Sequence, residues 1–161
     1  FFVAPGYQMN IFSEMAGWDI SEKSLERTAH CLRILGGAEN TNLRLQDILA
    51  LGDATSSGVS FDRIILSEVL EHLPDPVKVL RAISAVANPN ALLYINLPAN
   101  APAIDHISLF RSAEEAHKTV TDGGWEIVKS QSIPATGYTL ERARRLGVSV
   151  NELVIAVLAA G

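Results

Sequence analysis

The sequence predicts an α/β fold built on a doubly wound, mostly parallel sheet with an antiparallel hairpin at its C-terminal end. Short apolar runs alternate along the chain with amphipathic stretches of helical period, the pattern of repeated β-α units. The last two apolar runs have no full-length helix between them, so they should pair antiparallel. The length of 161 residues suits one domain with a substantial buried core.

The first β-α unit lies near the N-terminus. A short strand ends on an acid, Asp19, and Ser21 follows as a predicted helix N-cap. Apolar residues then recur at near-helical spacing over residues 22–35. Gly36 and Gly37 end this helix, because glycine readily adopts the left-handed conformation of a helix terminus.

Two further strands follow this helix. Residues 42–46 alternate polar and apolar side chains and lead to Asp47. A loop rich in glycine and serine over residues 53–60 separates them from the next strand. The next strand is predicted over residues 61–66, as a buried strand.

A second β-α unit occupies the middle of the chain. Pro74 and Pro76 precede a helix predicted over residues 77–87, which carries apolar side chains on one face. A turn over residues 88–90 then leads into a fully apolar strand over residues 91–97.

The last third contains one more helix and the hairpin. The helix is predicted over residues 112–120 and is ended by residues 122–124. The two hairpin strands are predicted over residues 125–129 and 153–158. The resulting order of elements is typical of a Rossmann-like sheet.

Composition excludes several classes of protein. With 48% hydrophobic residues and a net charge of −5 the chain is not intrinsically disordered, and it has no apolar run of the ~20 residues that a membrane span needs. The lone Cys31 excludes a disulfide framework and a cysteine-rich metal site. The excess of 18 acidic over 13 basic residues argues against a nucleic-acid partner.

The beginning of the chain indicates a longer polypeptide. It opens with Phe1 instead of methionine and has no charged n-region of a signal peptide. We therefore expect residues 1–161 to form a single domain that is incomplete at its N-terminus, with the cytoplasm as the default location.

The acids that follow the first two strands are candidate ligand-binding residues. In an open parallel sheet the ligand lies beyond the carboxyl ends of the strands. Asp19 could accept two hydrogen bonds from a ribose diol, and Asp47 could accept one from an adenine amine, with Ile48 as an apolar contact. The alternative is that each acid only caps the following helix or turn. Their matching positions on adjacent strands favour a nucleoside site.

One segment resembles a known family. Residues 61–76 read FDRIILSEVLEHLPDP, and this run is similar to the fourth-strand motif of class I S-adenosylmethionine-dependent methyltransferases. Weaker similarities to the same family occur in the expected order at residues 17–21, 45–48, 86–98 and 124–127. The glycine-rich turn G-x-G-x-G that the family carries after its first strand is absent from the sequence.

The resemblance implies a methyltransferase that uses S-adenosylmethionine as its cofactor. It further implies a role for each of six residues in binding that cofactor. Asp19, with Ile20 beside it, would bind the ribose, and Asp47 with Ile48 would frame the adenine. Ser67 and Glu68 would lie beside the sulfonium and the amino-acid portion. The acidic balance favours a small-molecule acceptor over nucleic acid, with no membrane partner and no indication of the oligomeric state.

Two histidines are candidate catalytic residues because histidine titrates nearest to neutral pH. His72 follows the strand of the specific motif, and His106 lies in the loop that commonly shapes the acceptor pocket of the family. Asp105 could orient His106 as a base. The alternatives are a packing role for His72 and a surface position for His106. No spacing of histidines, cysteines and acids resembles a metal site.

Other functions remain open. A nicotinamide-dependent Rossmann oxidoreductase also carries an acid after its second strand. A non-catalytic, methyltransferase-like binding module would explain the missing glycine turn. For Arg142, Arg144 and Arg145 a solvated helix face is the favoured interpretation, with contact to an anionic substrate or to nucleic acid as the alternative.

Overall fold

The computed structural model describes residues 14–36, 41–53 and 60–160. The chain divides into two compact units, Phe1–Ala54 and Thr55–Gly161, and each unit has its own architecture. Most of the predicted loop over residues 53–60 lies outside the described residues. The expectation of one N-terminally incomplete domain over residues 1–161 stays a prediction.

The first unit is a parallel β-α-β arrangement. Its elements are β1 (Met15–Asp19), α1 (Glu22–Leu35), β2 (Thr41–Leu45) and a 3₁₀ helix (Ile48–Asp53). β1 and β2 pair parallel, with Asp19 opposite Leu45. The Ser21 side chain caps α1 by accepting a hydrogen bond from the backbone N–H of Ser24, as predicted. Gly36 ends the helix at φ 78°, a left-handed conformation that glycine adopts at little cost.

The second unit is a four-stranded sheet with three helices. Its elements in chain order are β3 (Phe61–Ser67), a 3₁₀ helix (Leu70–His72), α2 (Pro76–Ser84), β4 (Ala87–Ala99), α3 (Ala113–Asp122), β5 (Trp125–Pro134), α4 (Leu140–Leu146) and β6 (Val150–Leu158). The strand order is β3-β4-β6-β5. β3 pairs parallel with β4, whereas β6 pairs antiparallel with both β4 and β5. The predicted antiparallel hairpin is therefore confirmed.

Several boundaries differ from the prediction. Residues 88–90, predicted as a turn, belong to β4, because Ala87 pairs with Phe61 of the neighbouring strand. Both hairpin strands are longer than expected, and the short helix α4 lies between them. Strand pairing decides these limits, and a local pattern of side chains does not contain that information.

The core of the second unit lies on one face of its two central strands. Alternate residues of β4 are buried, namely Ala91, Leu93, Ile95 and Leu97. Trp125 is 1% exposed, and its indole N–H donates to the backbone carbonyl of Leu80 at 3.0 Å. A buried indole needs such a partner, since an unpaired donor in the core is costly. The candidate site lies beyond the carboxyl ends of β3 and β4, which this core supports from one face.

Candidate active site

Three titratable side chains converge just beyond the carboxyl end of β3. Glu71 and His72 belong to the 3₁₀ helix that follows this strand, and His106 comes from the loop over residues 100–110. The two imidazole rings lie edge to face, with their centroids 5.0 Å apart. The structure thus brings together the two histidines that the sequence analysis selected.

Backbone hydrogen bonds hold the loop against the 3₁₀ helix. The base of the loop is closed by the N–H of Asn100, which donates to the carbonyl of Phe110 at 2.8 Å. The N–H groups of Ile107 and Ser108 both donate to the carbonyl of Glu71, at 2.8 and 2.9 Å. Because one carbonyl receives two consecutive donors, the loop keeps His106 close to His72.

Each histidine ring is oriented by a backbone carbonyl. Nδ1 of His72 lies 2.9 Å from the carbonyl oxygen of Asp105, and Nδ1 of His106 lies 2.6 Å from that of Ala101. A carbonyl oxygen only accepts, so Nδ1 carries the proton in both rings. In the neutral form of each ring, Nε2 is then the unprotonated nitrogen that can accept a proton or bind a cation.

Glu71 is a carboxyl group in the core, with an exposure of 1%. Burial raises the pKa of its carboxyl group, and the neighbouring Glu68 charge raises it further. Its Oε1 lies 3.8 Å from Nε2 of His72. Within the described residues, neither carboxyl oxygen of Glu71 has a hydrogen-bond partner. The sequence analysis missed Glu71, because no pattern distinguishes it from an exposed helical glutamate.

The same three residues could hold a cation. Glu71, His72 and His106 each offer one ligand atom, and these atoms lie within 4.8 Å of one another. The sequence analysis expected no metal, since no spacing resembled a ligand set. The convergence depends on the loop that returns residue 106 to residues 71 and 72, and that return is a property of the tertiary structure.

Asp105 contacts a different histidine from the one expected. Its Oδ2 lies 3.7 Å from Nδ1 of His72, on the same side as its own carbonyl. His106 is oriented by Ala101 instead. The suggested pairing of Asp105 with His106 is therefore replaced by a pairing of Asp105 with His72.

Ser67, Glu68 and Asn96 form a polar group at the ends of β3 and β4. Ser67 ends β3 opposite Asn96 in the register, and Glu68 follows at φ 54°. The amide nitrogen of Asn96 donates to Oε1 of Glu68 at 2.7 Å and to Oγ of Ser67 at 3.4 Å. The side-chain oxygen of Asn96 is buried and has no partner among the described residues. It is an acceptor available to a ligand.

The two predicted acids of the first unit lie at the carboxyl ends of its paired strands. Asp19 ends β1, and its Oδ1 accepts from the N–H of Ser21 at 2.8 Å. Asp47 lies just beyond β2, and its Oδ1 accepts from the N–H of Leu49 at 2.8 Å. Both acids thus make the capping contacts that were the alternative interpretation. Among the described residues, the second carboxylate oxygen of each accepts no side-chain or backbone hydrogen bond, so it can serve a ligand.

The two isoleucines that accompany these acids differ in exposure. Ile20 is 74% exposed, whereas Ile48 is half-buried at the start of the 3₁₀ helix Ile48–Asp53. An exposed isoleucine next to Asp19 is free to form an apolar contact with a ligand. The binding roles of Ile20 and Ile48 stay predictions.

Comparison with known families identifies the chain. The methyltransferase domain family matches residues 4–144. The chain belongs to this family. The resemblance seen at residues 61–76 is therefore confirmed, and the methyltransferase domain is of class I, the group that depends on S-adenosylmethionine.

Relatives of the methyltransferase domain include ubiquinone biosynthesis O-methyltransferases. The one from Albidiferax ferrireducens is 31% identical over 85 residues, which cover 52% of this chain and 32% of that protein. The one from Colwellia psychrerythraea is 28% identical over 130 residues, which cover 73% of this chain and 52% of that protein. The chain thus spans about half, or less, of the length of these curated relatives.

Solved structures show the same fold at low identity. The [4+2]-cyclase SpnF superposes with a TM-score of 0.73 at 15% identity, covering 98% of this chain and 71% of that chain. The N-methyltransferase NodS from Bradyrhizobium japonicum superposes with a TM-score of 0.65 at 16% identity, covering 91% and 74%. These similarities establish that the methyltransferase domain has the Rossmann-like α/β fold that was predicted.

The donors and acceptors of the methyltransferase domain suit S-adenosylmethionine. In the second unit, the buried side-chain oxygen of Asn96 lacks a donor among the described residues, which fits the ammonium of the cofactor's amino-acid portion. In the first unit, Asp19 and Asp47 offer carboxylate oxygens at the strand ends. Such oxygens fit the hydroxyl and amine donors of a nucleoside.

Proposed function

We infer that this methyltransferase moves a methyl group from S-adenosylmethionine to the oxygen, nitrogen or carbon of a small-molecule acceptor. The observation that carries this function is the pair of histidines, His72 and His106, each fixed through Nδ1 by a backbone carbonyl. Their Nε2 atoms are left for proton transfer, and His72 lies within the family motif of residues 61–76.

S-adenosylmethionine, when bound, supplies a methyl group on a sulfonium, which is already an electrophile and becomes a thioether when the methyl leaves. The protein therefore contributes mainly positioning, together with a base where the acceptor must lose a proton. Nε2 of His72 accepts the proton of the acceptor's O–H or N–H as the new bond to the methyl group forms. Asp105 stabilises the imidazolium that results, because its carboxylate lies 3.7 Å from Nδ1 of the ring.

His106 binds the acceptor beside this base. Its ring packs edge to face against His72, and its Nε2 can accept a hydrogen bond from a second N–H or O–H of the acceptor molecule. Two hydrogen bonds from one molecule fix its orientation, and correct orientation lowers the barrier of a transfer between two molecules.

Within the first unit, Asp19 binds the ribose hydroxyls, with Ile20 against the sugar, and Asp47 with Ile48 contacts the adenine. Charge-assisted hydrogen bonds to these carboxylates are about twice as strong as neutral ones. Within the second unit, Ser67 and Glu68 bind the amino-acid portion and lie near the sulfonium. The hydrogen bonds from Asn96 support this assignment, because they hold both side chains in place.

The remaining predictions concern partners and location. None of the helices that the structure describes is both long and apolar enough to cross a membrane. A cytoplasmic location, the absence of a nucleic-acid partner and a single domain over residues 1–161 stay predictions from the sequence. The oligomeric state is open.

A shared fold does not decide the activity. SpnF, with a TM-score of 0.73, is named a cyclase, so the proposal needs a direct test. We would titrate the intact protein with S-adenosylhomocysteine in a calorimeter. A separate titration with NADH tests the alternative of a nicotinamide-dependent oxidoreductase. We expect S-adenosylhomocysteine to bind and NADH not to bind.

Variants make this experiment specific. Asp19→Asn keeps an oxygen for the N–H of Ser21 but loses the charge, so it should weaken S-adenosylhomocysteine binding by about tenfold or more. Glu26→Gln, an equal charge change at an exposed position of α1, is the control and should have little effect. A folded protein that binds neither ligand would indicate a non-catalytic module, and one that binds NADH would indicate an oxidoreductase.

A further inference from the structure

We propose that a cleft beside the carboxyl end of β4 binds small carboxylates that carry a neighbouring hydroxyl or ammonium group, through Glu152 and Arg144. The cleft has a volume of about 250 Å³ and lies where β4 ends, where α3 and β6 begin, and against α4. Glu152 and Val150 line it from β6, Arg144 from α4, and Ser112 from the start of α3. The proposal goes beyond methyl transfer and does not depend on it.

Glu152 is a carboxylate in an apolar row. The buried residues that alternate along β6 are Val150, Glu152, Val154 and Ala156, and Glu152 is 1% exposed. Its Oε2 accepts a hydrogen bond from the hydroxyl of Ser132 at 2.8 Å and lies 3.8 Å from Nε2 of His117. Among the described residues, no lysine or arginine forms an ion pair with it.

A charged carboxylate in a buried position lowers stability unless hydrogen-bond donors or cations surround it. Buried charges are normally paired, and a carboxylate offers about four lone-pair sites. The hydroxyl of Ser132 occupies one of the sites on Glu152. Because Glu152 also lines the cleft, it is an acceptor that a hydroxyl or an ammonium group of a ligand can satisfy.

Arg144 supplies the opposite charge in the same cleft. Its Nη2 donates to the hydroxyl of Ser132 at 3.2 Å, so Ser132 links the guanidinium to Glu152. A guanidinium has five N–H donors in a fork that matches a carboxylate, and four of them remain after this bond. The sequence favoured a solvated face for all three arginines of α4. In the structure all three are exposed, as favoured. Arg142 also lies over the ring of Tyr138, and Arg144 lines the cleft.

The other charges of the cleft do not change this assignment. Glu114 lies near Arg144, and a hydrogen bond from Ser112 lowers the pKa of the Glu114 carboxyl group, so this side chain is ionised. The charged residues that line the cleft are two arginines, Arg111 and Arg144, and two glutamates, Glu114 and Glu152. The lining as a whole is therefore neutral, which suits a ligand with an anionic and a donor group side by side.

The volume and position of the cleft limit the ligands that it can bind. Small-molecule pockets usually measure about 300–1,000 Å³, so a cleft of about 250 Å³ holds the polar end of a molecule. Asn100 lines the cleft and adjoins Ala101, the residue that orients His106. The rest of such a molecule can therefore extend along the loop toward the histidine pair.

The test uses three acids with a common three-carbon skeleton. The ¹⁵N-labelled intact protein is titrated with L-lactate, L-alanine and propionate, and the amide signals of Asn100, Ala113 and Glu152 are followed by NMR. We expect saturable shifts with lactate, with alanine or with both, which distinguishes a hydroxyl from an ammonium donor. Propionate, which has the carboxylate without the donor, should bind at least about tenfold more weakly.

Variants locate the binding site. Arg144→Gln should weaken binding by about tenfold or more, because it removes a charge-assisted contact to the carboxylate. Arg145→Gln, the same change on the same helix but outside the cleft, should leave binding unchanged. Glu152→Gln should weaken the binding of alanine more than that of lactate, because only the ammonium group of alanine loses an ion pair.

Three results would overturn the proposal: no saturable shifts with lactate or alanine, equal affinity for propionate, or equal losses from Arg144→Gln and Arg145→Gln. If Glu152→Gln fails to fold, the comparison of Arg144→Gln with Arg145→Gln still tests the proposal. Since the measurement is of binding alone, a failure of methyl transfer leaves it unaffected.

Discussion

Asn96 holds Glu68 in a backbone conformation that glutamate rarely adopts. The side-chain amide nitrogen of Asn96 donates to Oε1 of Glu68 at 2.7 Å, and its backbone carbonyl accepts from the N–H of Glu68 at 3.1 Å. Glu68 has a φ of 54°, a left-handed conformation that costs a residue with a side chain about 1–2 kcal/mol. The sharp change of direction after β3 therefore depends on a residue of the neighbouring strand.

We expect Asn96→Ala to lower the free energy of unfolding by about 1–2 kcal/mol, because it removes a hydrogen bond to a charged group. Urea unfolding at neutral pH would measure this loss. Asn88→Ala removes a comparable bond, from its amide nitrogen to Asp62, at the opposite end of β4 and serves as the control. If the Glu68 conformation positions the cofactor, Asn96→Ala should weaken S-adenosylhomocysteine binding and Asn88→Ala should not.

Replacing the proposed base should lower the rate of methyl transfer. We expect His72→Gln to lower kcat by about 10²–10⁴, the usual contribution of general base catalysis. His106→Gln should act mainly on KM, because its Nε2 is assigned to binding the acceptor. Initial rates over a range of acceptor concentrations separate the two effects. Equal kcat values for wild type and His72→Gln would show that the acceptor reacts without this base.

Stability should fall with rising pH because of Glu71. Burial raises the pKa of its carboxyl group above the ordinary value of 4.5, so the folded protein retains a proton that the unfolded chain releases. The stabilisation is complete below pH 4.5 and is lost as pH rises through the folded-state pKa. In Glu71→Gln this loss is absent, so the variant should gain stability relative to wild type as pH rises.

Denaturant unfolding of both proteins between about pH 4 and about pH 8 would measure this difference. Glu126→Gln, at an exposed position of β5, is the matched control. A difference between wild type and Glu71→Gln that is the same at every pH would contradict the assignment of a buried, proton-binding carboxyl group.

Gly123 is required for close packing between α2 and the end of α3. A Cβ at this position would lie 2.5 Å from Cβ of Leu80 and 2.9 Å from its Cδ1. Leu80 is fully buried and cannot move aside, so we expect Gly123→Ala to cost about 1–3 kcal/mol. At Gly124 an added Cβ meets nothing within 4 Å, so only the backbone strain of alanine at a φ of 86° disfavours the substitution.

Thermal unfolding of both glycine variants separates packing from backbone strain. Gly123→Ala should also alter the near-UV signal of Trp125, whose indole bonds to the carbonyl of Leu80. Gly124→Ala should leave that signal nearly unchanged. A stable Gly123→Ala variant would show that α2 can shift at this contact.

Much of the fold could be predicted from local pattern. The first helix was predicted over residues 22–35, with its cap at Ser21 and its end at Gly36, and the structure has it there. Capping and helical period depend on residues a few positions apart, so they are visible in sequence. By contrast, the limits of β4 and the short helix α4 were not predicted, since pairing with β3 and β6 sets them.

The sequence by itself determined the family, the order of the main strands and helices, and two histidines worth examining, because each depends on residues close together along the chain. Only the tertiary structure decided that Glu71 is buried beside His72, that Asp105 contacts His72, and that Glu152 lines a cleft with Arg144. The physical reason is that burial and electrostatic contact depend on which distant segments pack together. A glutamate in the core and one in water have the same side chain.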